Sequence, residues 1–210
     1  MMAHTNRHFR TFWRYISKKS VLYTEMVVAD MIVTAASRGN SFQIDKHFGH
    51  NSNIEDPLVL QLGGNDPEKL RQAAEIAYRS GFRSINLNCG CPSNTVASSN
   101  SMGAAMMYTP ERTAQCCAAI ISALTSLQTS EASKISNEPL SANLETTSRI
   151  MKSSEISFSV KCRTGVDDLD SYEDLYNFVK VVSSQGGVNR FQIHARKAIL
   201  GTSKVPEIVH

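Results

Sequence analysis

The stretch L-V-L-Q-L-G-G, Leu58–Gly64, runs into N-D-P-E-K-L and sets the pattern that most constrains this chain. A short apolar run closes on glycines; a cap residue and Pro67 in the first helical turn then open a helix. That helix is expected to reach about Ser80, with Gly81 ending it. The alternation recurs along the chain. Val21–Ala29 reads as a strand, followed by loop-like sequence to Pro57. Ser84–Asn88 is the next strand, and Ala104 to Leu127 reads as helix, interrupted near Pro110. Ile156–Lys161 is a strand, and Ser171 caps a helix with Leu175, Phe178, Val179 and Val182 on one face, stopped by Gly186 and Gly187. R-F-Q-I-H-A-R, Arg190–Arg196, is the last strand. Strands alternating with helices of this length mean βα units and a parallel sheet, either doubly wound or closed into a barrel.

Polar residues help to choose. Side chains two apart on a strand share a face. Asn86 with Asn88, Lys161 with Arg163, and His194 with Arg196 are such pairs, and Glu25 and Gln61 occupy late positions in their own strands. Five strands therefore carry polar groups at their carboxyl ends, where a buried sheet should be apolar. A (β/α)8 barrel builds its site from those ends. A doubly wound sheet would concentrate its site beside a glycine-rich first turn, and no G-X-G-X-X-G is present.

Composition excludes little else. Of 210 residues, 41% are hydrophobic and 20% charged, which is ordinary globular composition, and the formal charge of +3 permits nucleic-acid binding without requiring it. No apolar run is long enough to span a bilayer. The first twenty residues hold Arg7, Arg10, Arg14, Lys18 and Lys19 and no acid, the composition of an organellar transit peptide. Phe9, Phe12, Trp13 and Ile16 at helical spacing favour a basic amphipathic helix over about 6–18 instead. Residues 128–155 are rich in serine and threonine and lack periodicity, so they read as a surface insertion.

Five cysteines, an odd and unpatterned number, fit a reducing compartment. Cys89 and Cys91 supply two ligands where a metal needs three or four, so no metal is expected. A Cys-Gly-Cys disulfide would close a strained, tiny loop. Cys116-Cys117 reads as small helical packing, and Cys162 faces away from Lys161 and Arg163. A single thiol after Gly90, before Pro92, is left over the barrel mouth as a nucleophile, an acid or a structural group.

N-L-N-C-G-C-P-S, V-K-C-R-T-G-V-D-D and I-H-A-R-K-A, in this order, resemble the tRNA-dihydrouridine synthase family. H-F-R-T-F-W-R-Y and Y-T-E-M-V resemble its A-type branch, which acts in the tRNA D-loop. The resemblance implies an FMN enzyme on a TIM barrel, with NADPH as reductant and tRNA as partner. It makes Cys91 the acid that protonates uracil C5, and Asn88 the residue holding the flipped uracil. Gln61, Lys161 and His194 match flavin contacts, and Arg163 and Arg196 match basic residues around the site. Because the match begins inside the loop after the family's first strand, Met1 is expected to be an internal methionine. An incomplete barrel is then expected, with about strands 2–6 present, strands 1, 7 and 8 missing and no C-terminal helical RNA-binding domain. A cytoplasmic location is expected, an organellar one being the alternative. The other readings are a catalytically inactive truncated tRNA-binding protein and a different FMN barrel reducing a small pyrimidine.

Overall fold

The computed structural model describes residues 4–40, 42, 44, 48–49, 52–93, 102–135 and 156–200. Five strands form one parallel sheet in consecutive order: β1 (Leu22–Val28), β2 (Leu58–Gly63), β3 (Ser84–Cys89), β4 (Ser157–Arg163) and β5 (Phe191–His194). Such an order has no point at which the winding reverses, which separates it from a doubly wound sheet. The helices α2 (Ala29–Ser37), α4 (Pro67–Arg79), α5 (Pro110–Ile135) and α6 (Tyr172–Gly186) pack in sequence, α2 on α4, α4 on α5 and α5 on α6. The sheet is thus an open five-stranded arc of a (β/α) barrel, with an apolar core between strands and helices and polar side chains on the other face.

Local chemistry sets the helix ends. Asp66 caps α4 by accepting the N–H groups of Glu68 and Lys69, with Pro67 next, and Ser80 and Gly81 (φ 99°) close it. Ser171 and Asp174 form a reciprocal capping box on α6. Gly187 (φ 72°) takes the left-handed position that ends this helix, and Gly186 lets α5 approach: a Cβ there would lie 3.1 Å from Ala114 Cα and Cys117 Cβ. Phe178 and Val182 are buried, with Leu175 and Val179 packed against the same core.

Three expectations change. The stretch after β1 is not loop throughout. α2 follows β1 directly, burying Ala29, Ile32 and Ala35, and a short α3 spans Ser52–Glu55. The junction has no side-chain cap, and Ile32, Val33 and Thr34 continue the β-branched character of the strand, so nothing local marks the switch. A 3-10 turn at Gly103–Tyr108 precedes α5, which then runs past Leu127 into the segment read as an insertion. The hydroxyls of Ser126, Thr129, Ser130 and Ser133 bond back to carbonyls four residues earlier, so these residues are accommodated in the helix. Glu131 accepts the Tyr78 hydroxyl. The rest of that segment, 136–155, lies outside the described residues.

The third change is in α1 (Arg7–Ile16). Its arginines, not its aromatics, are buried. Arg10 and Arg14 are 5% and 6% exposed, whereas Phe12 and Ile16 are 60% and 62% exposed. Arg10 pairs with buried Glu55 at 2.5 Å. Arg14 donates to the carbonyls of Glu55, Pro57, Ser17 and Ser20 at 2.6–3.1 Å. A fixed fork of five donors can satisfy several buried carbonyls at once, which an apolar side chain cannot. Arg14→Met should therefore cost about 3 kcal/mol in urea unfolding, the value of losing charged bonds and orphaning buried carbonyls. Phe12→Ala should stay within about 0.5 kcal/mol, as exposed substitutions do.

Candidate active site

The carboxyl ends of the strands bring most of the expected residues onto one face. Cross-strand pairing sets Gln61 beside Asn86, Asn88 beside Lys161, and Arg163 beside His194. Gln61, Asn86 and Asn88 are buried, Lys161 and Arg163 are half-buried, and His194 and Arg196 are exposed. Arg196 lies beyond the end of β5, its N–H donating to the His194 carbonyl at 2.7 Å.

A run of side-chain amides crosses this face. Gln61 Nε2 donates to Asn86 Oδ1 at 2.8 Å, and Asn88 Nδ2 donates to Gln61 Oε1 at 2.9 Å. Asn86 Nδ2 donates onward to Ser159 Oγ at 3.0 Å and Gln192 Oε1 at 2.9 Å. Asn88 Oδ1 accepts the backbone N–H groups of Gly90 at 3.0 Å and Cys91 at 2.9 Å. The pose of Cys91 is therefore set by the Asn88 side chain, together with the Cys91 carbonyl accepting Ala104 N–H at 2.9 Å. Gly90 has no positive φ, and a Cβ on it would meet ordinary contacts of 3.5 Å, so its freedom is not what shapes the turn. Residues 94–101, which continue this loop, lie outside the described residues.

The five thiols differ sharply. Cys91 is half-buried at the end of β3. Cys89 is fully buried on the helix side, against the Met106 sulfur at 3.9 Å, and burial raises its pKa well above the usual thiol value. Burial likewise raises Cys116 to about 12 and Cys162 to about 11, and pushes Cys117 up. Among the described residues, no three His, Cys, Asp or Glu side chains are arranged to hold a metal ion.

The basic groups cluster without counter-charge. Among the described residues no carboxylate lies within ion-pair distance of Lys161, Arg163 or Arg196. Arg163 Nε donates to the Gly90 carbonyl at 2.7 Å, linking β4 to the Cys91 turn. Burial lowers the Arg163 pKa, with Arg196 adding to the effect. The Arg163 charge, then burial, then Lys161 and Arg196, lower that of His194. Asp167 accepts the Tyr108 hydroxyl and the Leu200 N–H.

Sequence reasoning passed over Ser159 and Gln192, and it gave Asn86 no role. All three had a readable signal, since each stands two residues before an identified position on the same strand: Asn88, Lys161 and His194. Glu25 is displaced from the expected alignment. The β1–β2 register slips between Tyr23 and Met26, and there the N–H of Gln61 donates to the Thr24 hydroxyl at 3.0 Å.

The family described as dihydrouridine synthase (Dus) matches residues 1–136 and 141–207. A tRNA-dihydrouridine(20/20a) synthase of Synechocystis is 38% identical over 95% of this chain and 48% of its own length. Proteins of the same name from Vibrio parahaemolyticus and Escherichia coli O6:H1 are 36% and 34% identical, each over 95% of this chain and 49% and 48% of theirs. The chain thus spans about half the length of the curated relatives it matches. On that match the chain belongs to the dihydrouridine synthase family.

Proposed function

We propose that the protein takes part in flavin-dependent reduction of a D-loop uridine of tRNA to 5,6-dihydrouridine, with Cys91 as the proton donor. The observation that carries this reading is a half-buried thiol, fixed through its backbone to Asn88, on the rim that also bears Gln61, Lys161, Arg163 and His194. The relatives' printed names specify tRNA dihydrouridine synthesis.

The donor set fits FMN. Gln61, Lys161 and Arg163 offer N–H groups with no carboxylate in ion-pair range among the described residues, which suits the carbonyl edge and phosphate of such a cofactor. FMN, when bound and reduced by NADPH, supplies the hydride for uracil C6. The chain's own residues do the rest. The Asn88 amide has one N–H left over after bonding Gln61 and the Cys91 turn, and it offers that donor to a uracil carbonyl. Cys91 is the donor of the proton that goes to uracil C5, the general-acid role that a positioned thiol can fill. Arg163 and Arg196 add the positive charge that attracts an RNA backbone, and extruding the base from its stack costs a few kcal/mol. Among the described residues no helix is long and apolar enough to cross a membrane.

The test is to incubate the protein with FMN, NADPH and unmodified tRNA and measure dihydrouridine by mass spectrometry. Cys91→Ala should lower the rate by about 100- to 10,000-fold, the usual contribution of a positioned acid, without loosening FMN. Reduction of orotate or free uracil instead of tRNA would overturn the reading. Native-state iodoacetamide should label Cys91 well ahead of the four buried thiols.

His194 gives a pH prediction. Its pKa is lowered in the fold, so between the folded and unfolded values the unfolded chain binds more protons. Stability should then rise with pH through that window and level off on either side of it, where both states bind the same number of protons. In an NMR titration, Arg163→Gln should move the His194 midpoint upward.

A further inference from the structure

Backbone N–H groups can only donate, and this fixes the direction of every amide on the site face. Gly90 and Cys91 both donate to one atom of Asn88, so that atom is oxygen and its nitrogen faces Gln61. Gln61 must accept there and donate at its other end, to Asn86. Asn86 accepts with oxygen, and its nitrogen points at the Ser159 carbonyl, the Ser159 hydroxyl and Gln192. Reversing any one amide would set N–H against N–H inside a sheet where Gln61 and Asn86 are buried.

Asn86 is the residue with the most to say about this direction. It is fully buried, so it cannot touch tRNA or any large ligand, and both ends of its amide are committed. Its nitrogen is held by a carbonyl oxygen, which can only accept, so Asn86 cannot turn over without losing that bond. Chain polarity is therefore pinned at two ends, by the Ser159 carbonyl below and by the Gly90 and Cys91 N–H groups above. Without Asn86, Gln61 Nε2 loses its acceptor and Gln61 can rotate, which leaves Asn88 held only by the Gly90 and Cys91 N–H groups.

We propose that Asn86 is a positioning residue for the reaction centre, holding Gln61 and Asn88 in the one orientation that captures the Gly90–Cys91 backbone and turns their spare N–H groups toward ligand. Its action on catalysis rests on the flavin-dependent reading above; its action on the turn does not.

The experiment measures backbone amide hydrogen exchange by NMR in the ligand-free 210-residue chain, and FMN retention separately. Asn86→Ala should speed exchange at Gly90 and Cys91 at least tenfold while the core amides of α4 and α5 keep their rates. Asn86→Asp keeps an oxygen facing Gln61 Nε2 but sets the other against the Ser159 carbonyl, so it should protect Gly90 and Cys91 less well than asparagine does. Cys91 alkylation should follow the same order. Should Asn86→Ala fail to fold, Asn86→Ser carries the same test, because its hydroxyl is too short to reach Gln61. Unchanged exchange at Gly90 and Cys91, or a rise matched by every core amide, would overturn the proposal. Absence of FMN binding by the unsubstituted protein overturns the functional reading alone and leaves the exchange result to decide this one.

Discussion

A polar atom taken out of water must find a partner, and the inner face of this sheet is organised around that requirement. Gln61, Asn86 and Asn88 come from two adjacent strands, and their amides reach Ser159 on a third and Gln192 on a fourth. Where the first strand slips in register, the Thr24 hydroxyl takes up the N–H of Gln61. Barrel interiors are usually filled by branched apolar side chains. An amide layer is less forgiving, because each group constrains the orientation of the next. The same bonds that knit the strands also fix the turn bearing the Cys91 thiol.

The two faces of β3 divide the sulfur chemistry. Alternation directs Asn86 and Asn88 inward and Ile85, Leu87 and Cys89 toward the helices. Cys89 is two residues from Cys91 in sequence yet belongs to the apolar core with Cys116, Cys117 and Cys162. Burial keeps those thiols protonated and shielded, so closeness in sequence does not make a metal clip or a redox pair.

Much of this was legible in the sequence because local rules and the tertiary fold agreed. The Asp66–Pro67 start, the Ser171–Asp174 box and the Gly187 stop all stand where their chemistry demands. The polar strand ends pointed to a barrel, and the consecutive strand order bears this out. What escaped notice depended on partners distant in sequence. The buried role of the α1 arginines was hidden because nothing near them announces Glu55 or the Pro57 carbonyl. The aromatic spacing of the same helix was real, yet Phe12 and Ile16 are exposed in the described structure. α2 was hidden because it follows its strand with no cap and in β-branched residues. Asn86 was seen but left idle, since a strand pattern gives a face and not a hydrogen-bond direction.

The lower end of α5 has a consequence of its own. Glu131 meets Tyr78 and lies 3.9 Å from Arg83, and the Arg83 carbonyl receives the N–H of Ser157, the first residue of β4. Both anchors of the segment between Ile135 and Ser157 therefore sit at the amino-terminal end of the sheet, the full length of β3 away from Cys91. In a barrel the amino-terminal face serves stability, so substitutions at Tyr78, Arg83 or Glu131 would act on how the helices and β4 are held and reach the Cys91 turn only through the length of the sheet.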